Sequence, residues 1–200
     1  MEKFNILLFQ WIHNGAGHRP MLDMLAVFCA SFGPYVLGGM LVLLWFLSDV
    51  AHKTALIETT EAALLALIIN QAIGLVYYHP RPFMEGLCAP LIPHVPETSF
   101  PSDHVSLLTA ATGYLLLVGR RRISGGLLAV VTCLTAWSRV YAGLHFPLDV
   151  IGGLAAGIVS IWLVTRFKKQ IYPLNQYMLQ FYRRLAAILF VSSHFSGPAR

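Results

Sequence analysis

The stretch SRVYAGLHFPLD, residues 138–149, joins the ends of two apolar runs and contains an arginine, a histidine and an aspartate. The first run covers residues 123–142, and the second covers residues 146–165. Each run has about the 20 residues that an α-helix needs to cross a bilayer. The stretch therefore predicts two membrane-spanning helices whose shared end carries polar side chains at the membrane surface.

The composition of the whole chain also favours a membrane protein. Of its 200 residues, 56% are hydrophobic and 12% are charged, whereas soluble domains have about 25% charged residues. Three further apolar runs cover residues 21–47, 54–78 and 102–118. We therefore expect an all-α protein with about five transmembrane helices. Gly33 and Pro34 predict a kink or break in the first of these helices.

The predicted spans divide a single domain of 200 residues into three parts. Residues 1–20 form an interfacial N-terminus that contains an amphipathic helix. Residues 21–165 form the five-span core. Residues 166–200 form a tail with an amphipathic segment near residues 181–191. Two carboxylates near the start of the second span, Glu58 and Glu61, are expected to be solvated at the interface.

Lysine and arginine are distributed unequally between the two ends of the predicted spans. Ten of the 14 lie at the end that contains Lys53, residues 120–122 and the tail, and the net charge of the chain is +5. Cytoplasmic loops carry an excess of these residues, so residues 138–149 are predicted to face away from the cytoplasm. The basic residues flank apolar runs and form no basic-aromatic face, so nucleic-acid binding is not expected.

The residue types in the opening stretch suit phosphoryl chemistry. His145 and Asp149 are four residues apart and share a helix face. Asp149 is expected to accept a hydrogen bond from one imidazole nitrogen, which leaves the other free to attack. Arg139 can hold a phosphate with two hydrogen bonds. A simple helix cap at His145 and Asp149, and an arginine that extends to lipid headgroups, are the structural alternatives.

Two other segments add groups of the same kind at the same membrane face. Residues 101–104 read PSDH and begin the third span, where free N–H groups favour an anion. Ser102 can add a hydroxyl, and His104 can supply a proton to a leaving oxygen. An ordinary N-cap is the alternative meaning of this segment. Arg81 lies between two prolines that hold the chain extended.

These three segments resemble the motifs of the type-2 phosphatidic acid phosphatase superfamily, which read Lys-x6-Arg-Pro, Pro-Ser-Gly-His and Ser-Arg-x5-His-x3-Asp. The third motif is complete in residues 138–149. The second has Asp103 in place of glycine, and the first keeps Arg81 but has Gly74 in place of lysine. The small size, the run HPRPF and the variant PSDH are most similar to bacterial undecaprenyl-diphosphate phosphatases of the bacitracin-resistance subgroup.

The resemblance implies a phosphatidic acid phosphatase/haloperoxidase-like helical bundle that uses no cofactor and no metal. His145 would attack the terminal phosphorus, Asp149 would orient it, and His104 would protonate the leaving group. The phosphate would be bound by five residues: Arg81, Ser102, Asp103, Ser138 and Arg139. The implied partners are a polyprenyl diphosphate and membrane lipids. The implied reaction converts undecaprenyl diphosphate to undecaprenyl phosphate at the periplasmic face of the bacterial inner membrane, recycling the lipid carrier for peptidoglycan synthesis.

Other functions remain open at this point. The same fold could hydrolyse phosphatidylglycerophosphate or phosphatidate, or transfer the phosphoryl group to a sugar lipid. A transporter with a His/Asp proton relay is less favoured, because the ionisable residues cluster at one face and the chain has no inverted repeat. His79 could replace part of the missing lysine charge when protonated. The loop 84–99, with Glu85, His94 and Glu97, is expected to border the substrate entrance.

Overall fold

The computed structural model describes residues 2–194, and it describes all of their side chains except those at 50, 51 and 188–194. This part of the chain is helical and contains no strand. The elements are α1 (Glu2–His13), α2 (Pro20–Leu47), α3 (Val50–Val76), α4 (Asp103–Gly113), α5 (Arg122–Tyr141) and α6 (Pro147–His194). A π-helical turn, Tyr114–Val118, extends α4.

The helices match the predicted spans closely. Four of them, α2, α3, α5 and α6, are long and apolar enough to cross a membrane, and α4 with its π-helical turn is apolar but shorter. α4 lies in the middle of the bundle, where it contacts α2, α3, α5 and α6. The chain is therefore a multi-pass membrane protein with an all-helical bundle.

α4 and α6 pack closely at two glycines of α6. A Cβ atom at Gly157 would lie 2.7 Å from Cβ of Thr109, and one at Gly153 would lie 2.9 Å from the carbonyl oxygen of Ser102. Both distances are shorter than van der Waals contact allows, so the backbones approach each other only because α6 has glycine here. This approach brings the start of α4 to the start of α6.

α2 passes through Gly33 and Pro34 without a break, so that part of the prediction is wrong. Proline has no N–H, and it therefore leaves the carbonyl of Ala30 without its usual helical donor. The Arg139 guanidinium of α5 donates to this carbonyl, with Nη1 3.4 Å from the oxygen. A donor from a neighbouring helix replaces the missing bond, which lets a membrane helix contain proline.

α6 is longer than the predicted fifth span. It does not end at Thr165 but continues to His194, so its 48 residues include the predicted tail segment. At 1.5 Å per residue this helix is about 72 Å long, well beyond a hydrocarbon core of about 30 Å. The charged residues after Thr165 end the apolar run without ending the helix, because Lys and Arg are good helix formers.

Glu58 is buried rather than solvated, which corrects the prediction for this residue. Its Oε2 accepts hydrogen bonds from the Tyr114 hydroxyl at 2.9 Å and from Nζ of Lys168, also at 2.9 Å. A buried carboxylate is retained in an apolar interior when it is paired in this way. The group joins α3, α4 and α6 at the end of the bundle opposite the three motifs.

The connecting segments hold the three motifs together at the other end of the bundle. Gly143, with φ +79°, ends α5 in the left-handed conformation that favours glycine. The N–H of Ser102 donates to the carbonyl of Asp149 at 3.0 Å. α1 packs Phe9 against Phe146, and its Asn5 side chain accepts from the N–H of Leu148 at 3.1 Å. The start of α6 is thereby fixed on both sides.

Candidate active site

His145 lies buried between two guanidinium groups. Its Nε2 is 3.3 Å from Nη1 of Arg81 and 3.1 Å from Nη2 of Arg139. Its Nδ1 is 2.8 Å from the carbonyl oxygen of Ser99. A carbonyl only accepts and a guanidinium only donates, so Nδ1 carries the proton and Nε2 carries the lone pair. Nε2 is therefore the nitrogen whose lone pair is available for an attack.

The protonation state of His145 follows from the same surroundings. Burial, together with the neighbouring Arg139 and Arg81 guanidinium groups, holds the pKa of His145 well below its usual range. The imidazole is thus neutral at pH 7, as an attacking group must be. A simple capping role does not explain two arginines directed at one imidazole nitrogen.

Asp149 is fully buried, but it does not bond directly to His145. Its Oδ2 accepts from the Ser99 hydroxyl at 2.6 Å and from the Phe146 N–H at 2.7 Å. The distance from Oδ2 to Nδ1 of His145 is 3.6 Å, too long for a hydrogen bond. The predicted direct bond is therefore wrong, because the Ser99 carbonyl lies closer to Nδ1. Ser99 holds both residues, and no motif in the sequence indicates it.

The two arginines are both buried. Arg81 donates through Nη1 to the Leu144 carbonyl at 2.9 Å. Through Nη2 it donates to a Glu97 carboxylate oxygen at 3.1 Å. Arg139 is 4% exposed, so the alternative in which it extends to lipid headgroups is wrong. Both guanidinium groups stand at the depth of His145, where they can hold oxygens on one phosphorus.

The second motif lies beside this pair at the start of α4. Ser102 is fully buried, and its hydroxyl has no hydrogen-bond partner in the described part of the protein. The carboxylate of Asp103 accepts from the amide of Asn70 at 2.8 Å. His104 faces the same cavity as His145 and Arg139. The hydrogen bond from Asn70 therefore partly compensates for the negative charge that Asp103 adds to the site.

These groups surround one cavity of about 140 Å³. Five of the eight predicted site residues line it, together with two polar residues of α3 and part of the loop before α4. Its lining consists of Asn70, Gln71, Gly74, Arg81, His94, Glu97, Thr98, Phe100, Pro101, Asp103, His104, Arg139 and His145. His94 and Glu97 border the cavity as predicted, but Glu85 does not. Asn70 and Gln71 were not predicted as site residues, although polar residues inside an apolar span often mark a functional site.

Three predicted residues stand apart from the cavity lining. Asp149 lies behind His145, and Ser102 lies just before α4. The Ser138 hydroxyl donates to the Thr135 carbonyl of its own helix at 2.9 Å, so it does not face the cavity. This placement corrects the phosphate-binding prediction for Ser138, since its only proton is already used inside α5.

Gly74 lines the cavity and supplies no substitute for the missing lysine charge. A Cβ atom at Gly74 would meet only Cγ2 of Thr98, at 3.3 Å. His79 does not line the cavity, and its Nδ1 lies 3.2 Å from Oδ1 of Asp149 instead. The possibility that His79 replaces the lysine charge is therefore not supported.

Known proteins resemble the chain in both sequence and structure. The PAP2 superfamily model matches residues 55–173. Undecaprenyl-diphosphatase BcrC of Bacillus subtilis is 30% identical over 90% of this chain and 93% of the relative. The putative undecaprenyl-diphosphatase YbjG of Escherichia coli is 35% identical over 80% of each chain. The crystal structure of Aquifex aeolicus LpxE superposes with a TM-score of 0.68 and 27% identity, covering 82% of this chain and 95% of that one.

A second solved structure supports the fold alone. The transmembrane PAP2-type phosphatidylglycerolphosphate phosphatase of Bacillus subtilis has a TM-score of 0.58 and 20% identity over 85% of this chain and 87% of that one. The family model covers more than half of the chain, and the site presents a neutral imidazole between two arginines. The chain therefore belongs to the PAP2 superfamily, and it is a membrane-embedded lipid phosphatase.

Proposed function

We propose that the protein hydrolyses the terminal phosphate of undecaprenyl diphosphate and releases undecaprenyl phosphate and inorganic phosphate. The observation that carries this proposal is the lone pair of His145 Nε2, which two arginines flank at 3.3 and 3.1 Å. The relatives BcrC and YbjG are named for this activity and match most of the chain.

The first step in the proposed mechanism transfers the phosphoryl group to the protein. Nε2 of His145 attacks the terminal phosphorus, so a P–N bond forms while the P–O bond to the bridging oxygen breaks. His104 donates a proton to that oxygen as it leaves with undecaprenyl phosphate. His145 becomes a phosphohistidine, and the negative Asp149 stabilises its positive charge.

The second step restores the enzyme. Neutral His104 takes a proton from water, whose oxygen attacks the phosphorus while the P–N bond breaks. Inorganic phosphate leaves, and His145 returns to the neutral form with its proton on Nδ1. The protein's own cationic and N–H groups stabilise the charge on the phosphoryl oxygens in both steps.

Four groups are placed for that stabilisation. Arg81 and Arg139 can each hold oxygens on the transferred phosphorus. The hydroxyl of Ser102 has no partner in the described part of the protein, and we propose that it donates to a further oxygen from just behind the cavity lining. Asp103 would contribute its backbone N–H at the start of α4, because its carboxylate is already held by Asn70.

The proposed site faces away from the cytoplasm in a bacterial inner membrane. Its support is the charge distribution, since ten of the 14 lysines and arginines lie at the opposite end of the spans. In this orientation the long part of α6 beyond the bilayer is cytoplasmic. The proposed activity would then recycle the lipid carrier where cell-wall synthesis releases it.

A phosphate-release assay with purified protein tests this function. Protein in detergent is given undecaprenyl diphosphate, phosphatidylglycerophosphate or phosphatidate in the presence of a metal chelator. We expect the highest kcat/KM for undecaprenyl diphosphate, and loss of at least 10³-fold in His145→Ala. Ser138→Ala is the control, because its hydroxyl bonds within α5.

Three results would contradict the proposal. Wild-type turnover by His145→Ala would show that His145 is not the nucleophile. A requirement for added divalent metal would contradict the cofactor-free mechanism. A higher kcat/KM for either glycerolipid would leave a lipid phosphatase with a different substrate.

A further inference from the structure

His79 contacts Ser99 and Asp149 and does not line the phosphate cavity. Its Nδ1 is 3.1 Å from the Ser99 hydroxyl oxygen and 3.2 Å from Oδ1 of Asp149. Its ring stacks on Tyr77 and meets Phe146 edge to face. Only 12% of the side chain is exposed. The imidazole is thus held in one orientation beside the carboxylate.

The hydrogen bonds fix which nitrogen of His79 carries a permanent proton. The Ser99 hydroxyl has one proton, and it donates this proton to Oδ2 of Asp149, because a carboxylate can only accept. The Ser99 oxygen can therefore only accept from Nδ1 of His79. Nδ1 keeps its proton in both charge states of the ring, and Nε2 is the nitrogen that titrates.

Nε2 of His79 lies near a solvent-exposed carboxylate. It lies 3.8 Å from a carboxylate oxygen of Glu2 in α1. His79, Glu2 and Asp149 line a second cavity of about 340 Å³, separate from the phosphate cavity. A proton can reach Nε2 through this cavity without passing the substrate.

Three carboxylates act on His79 from the elements around it. They are Asp149 of α6, Glu2 of α1 and Glu85 of the loop before α4. The close contact with Asp149 is the largest cause that raises the pKa of His79, and the charges of Asp149, Glu2 and Glu85 act in the same direction. Burial of the ring acts against them, but the net shift is upward. The pKa of His79 is therefore higher than that of an ordinary histidine.

Ser99 connects His79 to the nucleophile. Its hydroxyl holds Asp149 and His79, and its carbonyl accepts from Nδ1 of His145 at 2.8 Å. One residue thus touches all three side chains. A change in the charge or position of His79 therefore affects His145 through two groups. One is Ser99, and the other is the Asp149 carboxylate, whose Oδ2 lies 3.6 Å from Nδ1 of His145.

We propose that His79 is a positioning residue that controls, through Asp149 and Ser99, how strongly His145 attacks the phosphorus. The proposal rests on the proposed function only in taking His145 as the nucleophile. When His79 is neutral, the full charge of Asp149 stabilises the positive imidazole that forms with the P–N bond. When His79 is protonated, it neutralises that carboxylate, and the attack is slower. The rate therefore falls as pH falls through the titration of His79.

The test compares two variants over pH 5 to 9. His79→Asn keeps a donor where Nδ1 stands but cannot titrate. We expect its kcat to fall less than about threefold from pH 8 to pH 5.5, where the wild type falls about tenfold. His79→Ala lacks the donor, and we expect its kcat to fall about tenfold at every pH, with KM within about twofold.

The matched control is His18→Asn, since His18 is exposed and lies outside both cavities. It should keep the wild-type profile. A purely structural role for His79 would lower the melting temperature and yield of both variants and leave the midpoint of the profile unchanged. Two results would overturn the proposal. One is a fall of kcat at low pH in His79→Asn that equals the fall in the wild type, and the other is a kcat of His79→Asn no higher than that of His79→Ala.

The test of His79 does not depend on which lipid is the substrate. Each profile is measured with whichever lipid phosphate the wild type hydrolyses, so failure with undecaprenyl diphosphate would affect the substrate and not His79. The shape of the profile is compared only between variants acting on the same lipid.

Discussion

At the residue scale, the proposed nucleophile, His145, is distinguished by its partners more than by its residue type. His145 is one of eight histidines in the chain. Among the histidines whose side chains the structure describes, only His145 has two guanidinium groups within hydrogen-bond distance of Nε2, while a backbone carbonyl holds its Nδ1. The partner that selects this tautomer is Ser99, which lies 46 residues earlier in the chain. The same serine supports the aspartate of the third motif.

Ser99→Ala should therefore reduce activity more than stability. The variant keeps the carbonyl that holds His145 but leaves Oδ2 of Asp149 with only the Phe146 N–H. We expect kcat to fall about tenfold to 100-fold, and stability to fall by about 1–2 kcal/mol for the lost hydrogen bond. Phosphate release and thermal unfolding measure the two effects.

Ser138→Ala is the comparison for this substitution, because it removes another buried serine hydroxyl at the same end of the bundle. Its activity should stay close to that of the wild type. Equal losses in both variants would show that the Ser99 hydroxyl has no special part in the site.

At the scale of the elements, Pro34 supports the site from a different helix. It leaves the Ala30 carbonyl of α2 free for Arg139 of α5. Pro34→Ala should restore the helical bond to that carbonyl and remove one of the restraints on the guanidinium. We expect α2 to gain stability and kcat/KM to fall by severalfold, because a misplaced binding group loses transition-state contacts. Thermal unfolding and steady-state kinetics on the same preparation separate the two effects. Unchanged kcat/KM would contradict this role.

The close packing of α4 against α6 is a second feature that supports the site at this scale. Gly157→Ala places a Cβ 2.7 Å from Cβ of Thr109, so the helices must separate. We expect a loss of about 1–3 kcal/mol from overpacking, together with lower activity, since α4 carries His104. Circular dichroism melts in detergent report the stability.

Gly126→Ala is the matched control, because a Cβ atom at Gly126 meets nothing within 4 Å. Helix propensity predicts a gain of up to about 1 kcal/mol for it. A similar melting temperature for both variants would mean that α4 and α6 do not need this close approach.

At the scale of the whole molecule, the orientation in the membrane decides on which side of the membrane the protein binds its substrate. Two single-cysteine proteins test it, after Cys29, Cys88 and Cys133 are replaced by alanine or serine. Val95→Cys lies in the exposed loop beside the cavity, and Arg120→Cys lies in the loop before α5.

An impermeant thiol reagent on intact cells should label Val95→Cys and leave Arg120→Cys unlabelled until the membrane is opened. The reason is the excess of lysine and arginine on the Arg120 side. The reverse labelling pattern would place the cavity in the cytoplasm and would contradict the proposed orientation.

The spans and the motifs were predictable because they depend on local patterns. Apolar runs of about 20 residues predict where helices cross a membrane whatever their neighbours are. The third motif predicts an arginine, a histidine and an aspartate at one helix junction.

Other features depended on contacts between distant segments. The sequence does not show that Glu58 pairs with Tyr114 and Lys168, that Ser138 bonds within its helix, or that α6 continues past Thr165. A polar residue near the end of an apolar run looks the same whether it meets water or a buried partner. Only the packing decides which of the two it is.

The sequence by itself determined an all-helical membrane protein whose three motifs lie at one face, because hydropathy and residue spacing act along the chain. The tertiary structure decided which groups work together: Ser99 between His145 and Asp149, Ala30 beneath Arg139, and His79 behind the carboxylate. Each of these contacts joins segments from different elements. Hydrogen bonds form where folding brings a donor to an acceptor, and no spacing along the chain records that distance.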